Sequence, residues 1–225
     1  MPIVSIVNTK GGVGKSTTAL ILAQVFAQNG TSTSVLDSDP NQPLIAWQEK
    51  TADQPENLTI VGDLTEENIM DAIETAEQRS KLVIVDVEGS ANMKASYAMG
   101  LSDFVLIPAR GSQMDVEQSI RVLKFVERTS KQTNRTIPYA LLFTCTSALR
   151  GRDFRHLEIQ LENGDIPVFE SEMVERAAFR AIMQVGGTIY QLTKNDVSKP
   201  ENAIINAEAV AEELAALLKG KAVAA

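Results

Sequence analysis

The sequence predicts an α/β fold: a doubly wound, mostly parallel sheet flanked by helices on both faces. Three observations carry the prediction. Short apolar runs alternate with helix-length segments along most of the 225 residues, the order that wraps a parallel sheet in helices. The runs are apolar throughout instead of alternating with polar residues, as strands buried on both faces are. A glycine-rich turn, Lys10-Gly11-Gly12-Val13-Gly14-Lys15-Ser16-Thr17, joins the first run directly to a segment rich in Ala, Leu and Ile.

Taken in order, the strands are expected at residues 3–7, 33–37, 58–61, 82–86, 104–108, 137–144 and 166–169. Helices are expected at 15–29, 66–78, 113–134, 152–163, 173–184 and 202–219. Gly30 and Gly220 stand where C-cap glycines would close the first and last of these. The Ala-rich end from 204 to 225 reads as a packed terminal helix with a frayed tail. With 44% hydrophobic and 22% charged residues the chain can bury one sizeable core. No repeat or low-complexity linker divides it, so residues 1–225 read as a single domain.

Several function classes are disfavoured by what is missing. The sequence has no apolar run of about 18 residues and no leader pattern, so the expected location is cytoplasmic, with nucleoid-associated or polar placement left open. The single cysteine, Cys145, excludes an internal disulfide framework and a multi-cysteine metal or iron–sulfur site within one chain; it reads as a buried, inert thiol. The single histidine, His156, has no companion ligand nearby, which weighs against a zinc site or a histidine-based triad. A net charge of −8 argues against coating nucleic acid by bulk attraction.

The charge is unevenly spread. Residues 53–78 hold eight acids and no base, and residues 157–175 hold six acids and no base. Between 121 and 135 the balance reverses, with Arg121, Lys124, Arg128, Lys131 and Arg135 against Glu127. Their spacing puts all five bases on one helix face, opposite Val116, Val122 and Val126. A solvated face is the ordinary reading of such a stripe; contact with a phosphate backbone is the other.

The turn at 10–17 has the residues and the context of a phosphate-binding P-loop. Glycines let backbone N–H groups turn inward, the helix N-terminus adds its positive dipole end, Lys15 reaches the outer phosphates and the Ser16 hydroxyl ligates magnesium. Leu82-Val83-Ile84-Val85-Asp86 is four apolar residues and an acid at the right distance after such a loop, the Walker B arrangement, with Asp86 bound to magnesium through water. Val35-Leu36-Asp37-Ser38-Asp39-Pro40-Asn41 places two more carboxylates at the C-terminal edge of the sheet, where open α/β proteins bind ligands.

Thr9 stands where the usual P-loop has its first glycine, and Lys10 follows it. Lys-Gly-Gly-Val-Gly-Lys-Ser resembles the deviant Walker A group of ParA and MinD ATPases, and the resemblance covers nearly the whole chain. It implies that ATP and Mg²⁺ are the cofactors and that Lys10 is the signature lysine, which crosses a homodimer interface to the partner's nucleotide. It also implies that Asp39 positions the attacking water and that Asp37 serves magnesium directly or from the second shell. Lys10, Lys15 and Asp39 are then the catalytic residues, Lys10 to Thr17 hold the nucleotide, and Ser16, Asp37 and Asp86 hold the metal. The sequence Val87-Glu88-Gly89-Ser90 departs from the Thr or Ser and prolines that follow this aspartate in ParA proteins, so the loop that senses the γ-phosphate has altered chemistry. Glu88 is a weaker candidate for activating water.

With a strand expected from residue 3, the chain resembles the short ParA form, without an N-terminal helix-turn-helix extension. Asp37 to Leu44 with Trp47, and Glu175-Arg176-Ala177-Ala178-Phe179, are similar to the VirC-type accessory ATPase of T-DNA transfer. The ParA resemblance implies an ATP-gated dimer with non-specific DNA binding and slow hydrolysis as its reset, served by a centromere-binding or transfer-complex partner. DNA-contact candidates are Arg150, Arg152 and Arg155 in a loop, and Arg176 and Arg180 on a helix. The alternatives are an ATP-gated adaptor that recruits a transfer or other protein complex and, behind it, a metabolic ligase on the same fold. The terminal segment lacks the large apolar and basic residues of a MinD-type membrane anchor, so no membrane partner is expected.

Overall fold

The computed structural model describes residues 1–89, 92–147 and 152–222, with backbone alone at 152–156, 158, 221 and 222. Its strands are β1 (Ile3–Ile6), β2 (Thr33–Asp37), β3 (Leu58–Val61), β4 (Leu82–Asp86), β5 (Phe104–Ala109), β6 (Tyr139–Thr146) and β7 (Met173–Val174). They form one seven-stranded sheet in the order β3-β2-β4-β1-β5-β6-β7, and every pair is parallel. The helices are α1 (Lys15–Gln28), α2 (Pro43–Glu49), α3 (Ile69–Arg79), α4 (Met93–Leu101), α5 (Gln113–Thr133), α6 (Arg152–Asn163), α7 (Ala177–Val185) and α8 (Pro200–Ala222). Among the described residues no helix is long and apolar enough to cross a membrane.

The apolar strands feed two cores from alternate residues, which is why they show no polar alternation. Val4, Ile6, Val35, Ile84, Leu106 and Leu142 pack on one face with α1, α2, α7 and α8. Ile3, Val7, Leu36, Val83, Val85, Val105 and Ile107 pack on the other with α3, α4 and α5. A smaller cluster of Val116, Leu141, Phe143, Leu157 and Leu161 seats α6. α1 ends as expected: Thr31 N–H donates to Phe26 O and Gly30 N–H to Ala27 O, with Gly30 at φ +77°, a Schellman stop that favours glycine.

Four expectations need correction. α2 and α4 were not foreseen: the first is a short helix among prolines, and the second, nine residues of mixed small, apolar and polar side chains, has little amphipathic period to read. The expected strand at 166–169 makes a single bridge, Val168 to Leu141. Beyond Phe169 the Glu213 carboxylate takes the N–H groups of Glu170 and Ser171, so the chain leaves the ladder and rejoins it as β7. Residues 173 and 174 are therefore strand, α7 begins at Ala177, and Arg176 is its extended N-cap residue. Lastly, α8 runs through Gly220 to Ala222; without a stabilising turn to favour a stop there, Gly220 is simply a helical residue.

Trp47 is fully buried, and its Nε1 donates to Gly187 O at 2.9 Å. Gly187 N–H in turn donates to Thr51 Oγ1 at 3.0 Å, so the turn after α7 is fastened to α2. The preceding Gly186 has φ +84°, and a Cβ there would lie 2.5 Å from Lys50 O. Gly186→Ala combines left-handed strain with a backbone clash, and should cost about 2 kcal/mol or more. Urea unfolding checks this, and an unchanged midpoint would show that the turn is not under this constraint.

Candidate functional site

Parallel pairing puts the site together. Ile6 is paired with Asp86 and Asp86 with Asp37, so two carboxylates end neighbouring strands beside the point where β1 gives way to the glycine-rich loop. Gly12 (φ +75°) and Gly14 (φ +89°) take left-handed backbone conformations, and a Cβ at Gly11 or Gly12 would meet nothing within 4 Å. The loop is thus an open cradle. Val13 is buried at its base, where the Thr144 hydroxyl donates to Val13 O at 2.6 Å. α1 starts from Gly14 with no side-chain cap, leaving its first-turn N–H groups directed at the cradle.

Lys15 is buried, only 8% exposed, and its ammonium donates to Lys10 O over a long 3.4 Å. A Cβ at Gly89 would lie 3.4 Å from Lys15 Nζ and 3.5 Å from Thr9 O, so the loop after β4 presses against the cradle. Ser16 and Thr17 are half-buried on the first turn of α1.

Asp86 is fully buried, and burial is the main cause that raises its pKa to about 7, with the Ser16 hydroxyl and Lys15 lowering it and Asp37 and Asp39 raising it further. The Ser16 hydroxyl faces the carboxylate, yet neither carboxylate oxygen completes a hydrogen bond of good geometry. Two orphaned, buried oxygens beside a hydroxyl form a hard-oxygen donor set of the kind magnesium takes. Asp37 is also buried, and burial raises its pKa against the lowering by backbone bonds. Its Oδ2 accepts from Leu44 N at 2.7 Å and Ile45 N at 3.4 Å, so Asp37 caps α2, a use the sequence reading did not assign to it. Asp39 is half-exposed, with Oδ1 taken by the backbone and side-chain nitrogens of Asn41 at 2.8 and 3.0 Å.

Lys10 does not reach into its own cradle. Its Nζ lies 2.5 Å from Asp115 Oδ1, an ion pair in which the carboxylate is almost entirely buried. That oxygen has no well-directed hydrogen bond, whereas Oδ2 accepts from the Ser112 hydroxyl at 2.5 Å. Asn8 Oδ1 accepts Lys10 N–H at 2.9 Å, and Asn8 Nδ2 donates to Pro108 O at 2.7 Å. Asp115 and Asn8 carry no motif of their own, and only the fold identifies them as the partners that place Lys10.

The remaining candidates are scattered around this edge. Glu88 accepts from Asn92 Nδ2 at 3.1 Å and faces the ammonium of Lys94 at 3.6 Å. Cys145, expected to be buried, is exposed; a register irregularity between Thr144 and Thr146 and φ +52° at Cys145 turn it out of the sheet. Arg176 is half-buried beside the end of β6, its Nε buried without a hydrogen-bond partner among the described residues. Arg180 is exposed and paired with Glu175. Arg150 lies outside the described residues, as do the side chains of Arg152, Arg155 and His156. The four bases on α5 and Arg135 just beyond its end are all exposed; Arg135 pairs with Asp103.

Known proteins resemble this chain along most of its length. The family described as VirC1 protein matches residues 1–221. Protein ParA of Rhizobium radiobacter is 35% identical over 212 residues, covering 94% of this chain and 95% of that protein. Protein virC1 of the same organism is 26% identical over 192 residues, covering 83% and 82%. Among solved structures, a Cyanothece McdA variant in complex with ATP has the same fold, with a TM-score of 0.70 and 17% identity over 92% of this chain and 96% of that one.

The raised Asp86 pKa has a consequence for stability. From an ordinary value of 3.8 up to about 7, the folded protein keeps a proton that the unfolded chain has lost, so stability falls as pH rises through that window and levels off above it. The loss attributable to this group is up to about 4 kcal/mol. Unfolding measured from pH 4 to pH 8 should show the slope, and Asp86→Asn should flatten it. Above pH 7, Mg²⁺ should stabilise the parent protein and not the variant; equal slopes in both would place the titrating group elsewhere.

Proposed function

The chain belongs to the VirC1 family, and with it to the ParA/MinD-type P-loop ATPases, and from that premise we propose that it is an ATP-dependent dimerising ATPase that partitions or positions DNA. The observation that carries the proposal is the pair of lysines on one loop. Lys15 points into the cradle, whereas Lys10 stands outside it at the rim, 32% exposed and paired with Asp115. By resemblance to the deviant Walker A group, a lysine at this place serves the nucleotide of a second copy of the chain.

In the proposed cycle the N–H groups from Gly11 to Thr17 and the Lys15 ammonium bind the β- and γ-phosphates. Ser16 and Asp86 would hold Mg²⁺, with Asp37 behind them keeping the loop after β2 in place. Bound Mg²⁺ would neutralise phosphate charge that grows during transfer. Asp39, one of whose carboxylate oxygens is taken up by Asn41, orients the attacking water with the other. Closing the dimer moves Lys10 from Asp115 towards the partner's nucleotide, where its charge stabilises the transferring phosphoryl group. Hydrolysis removes the γ-phosphate that favoured the dimer, so slow turnover acts as the reset. Residues 1–225 act as one domain throughout.

The dimer would hold DNA without reading its sequence, through Arg176 and Arg180 at the start of α7, the Arg150–Arg155 segment and the exposed stripe on α5. Such binding weakens steeply with salt as counterions are released. A second reading is favoured by the family match over residues 1–221: an ATP-gated adaptor that recruits a DNA-transfer complex. The two readings separate on whether charge reversal at Arg176 abolishes ATP-dependent DNA binding.

The deciding measurement is the solution mass at matched concentrations with ADP and with a slowly hydrolysed ATP analogue. A dimer is expected only with the triphosphate. Lys15→Ala should weaken nucleotide binding by at least about 100-fold. Lys10→Ala should bind nucleotide but remain monomeric, and Asp39→Ala should bind ATP, stop hydrolysis and accumulate as dimer. A monomer with every nucleotide sinks the dimer switch, and normal turnover by Asp39→Ala removes that residue from the reaction.

A further inference from the structure

Lys94 is a buried lysine that the cycle above does not use. It is the second residue of α4, where the positive end of the helix dipole disfavours a cation, and it is 8% exposed. Three oxygens compensate. Its ammonium donates to Ser38 O at 2.7 Å and Leu64 O at 3.3 Å, and the Glu88 carboxylate lies 3.6 Å away. These oxygens come from the loops after β2, β3 and β4, so one side chain fastens three of the loops at the working edge.

Two of those loops carry residues of the site. Ser38 lies between Asp37 and Asp39. Glu88 adjoins Gly89, where a Cβ would lie 3.4 Å from Lys15 Nζ, the group that a γ-phosphate would engage. Glu88 N–H donates to the Ser38 hydroxyl at 3.3 Å, and Ser38 N–H to Asp86 O at 3.0 Å, so the loops after β2 and β4 are already laced together. Asn92 holds the Glu88 carboxylate and caps α4 by accepting Ala95 N–H at 2.8 Å. Gly89 lies close to Lys15, its neighbour Glu88 faces the Lys94 ammonium, and that ammonium bonds the carbonyl next to Asp39.

We propose that Lys94 is a positioning residue that couples the γ-phosphate to Asp39: a phosphate on Lys15 displaces the Gly89 loop, Glu88 moves with it, and the Lys94 ammonium carries the shift to Ser38 O and so sets the Asp39 carboxylate. The inference rests on the nucleotide-binding reading of the cradle.

Amide hydrogen exchange tests it, with peptides covering residues 11–17 and 38–44 followed without nucleotide, with ADP, and with Mg²⁺ and a non-hydrolysable ATP analogue. In the parent protein both nucleotides should slow exchange in 11–17, and only the triphosphate should slow 38–44, by about fivefold or more. In Lys94→Met the protection of 11–17 should persist while that of 38–44 is lost, and Lys94→Arg should restore it. Glu88→Gln, at a partly exposed side chain, should reproduce the selective loss and decides the matter if Lys94→Met does not fold. Full protection of 38–44 in Lys94→Met, or in Glu88→Gln when that variant decides, overturns the coupling, as does equal protection by ADP and triphosphate in the parent. No protection of 11–17 by either nucleotide would overturn the nucleotide-binding reading itself, and the coupling with it.

Discussion

The working edge depends on one constraint, the parallel register that sets Ile6, Asp86 and Asp37 at the same level. Parallel strands all end at the same edge, so the loops that follow β1, β2 and β4 converge without any long excursion. A slip of one residue would send each side chain to the opposite face of the sheet and turn Asp86 away from the phosphate loop into the packing of the other core. Apolar side chains on both faces of these strands, most of them fully buried, hold that register. The acid at the end of the β4 run is tolerated only because the run itself is so thoroughly fixed.

On that frame the charges are arranged as a set of unfinished pairings. Asp86 is buried with no completed hydrogen bond and Lys15 rests on a distant carbonyl, whereas Lys10 is already paired with a carboxylate outside the cradle. Asp86 and Lys15 are groups that bulk water would satisfy better, and both have the chemistry to pair with a divalent cation and a phosphate. The strain in this arrangement is electrostatic. Completed pairs lie at the periphery, where Asp37 caps α2 and Glu213 gathers the chain after Phe169, and they hold the incomplete ones in place.

The sequence made the strands and the phosphate loop legible because both are local signals: apolar runs of strand length, and glycines beside a lysine and a hydroxyl. Asp86 was readable from the run that precedes it. Asp115, Asn8 and Thr144 were not, since each acts through a contact about 100 residues or more away along the chain, and no spacing records such a contact. α4 was hidden by its lack of an amphipathic period, although the Asn92 cap two residues before Lys94 was a usable signal. Cys145 was misread for a related reason: a cysteine in an apolar run is usually inside, and only the bulge at the end of β6 turns it out. The side chains of the arginine-rich segment after β6 lie outside the described residues.

That bulge gives the molecule a natural point of observation. Cys145 is the chain's only thiol, it is exposed, and its sulfur lies 4.0 Å from where a Cβ at Gly14 would be. A single fluorophore or spin label attached there would sit against the phosphate loop with no cysteine to remove and none to add. Changes at that loop would then be read as spectral changes from one defined place, in real time.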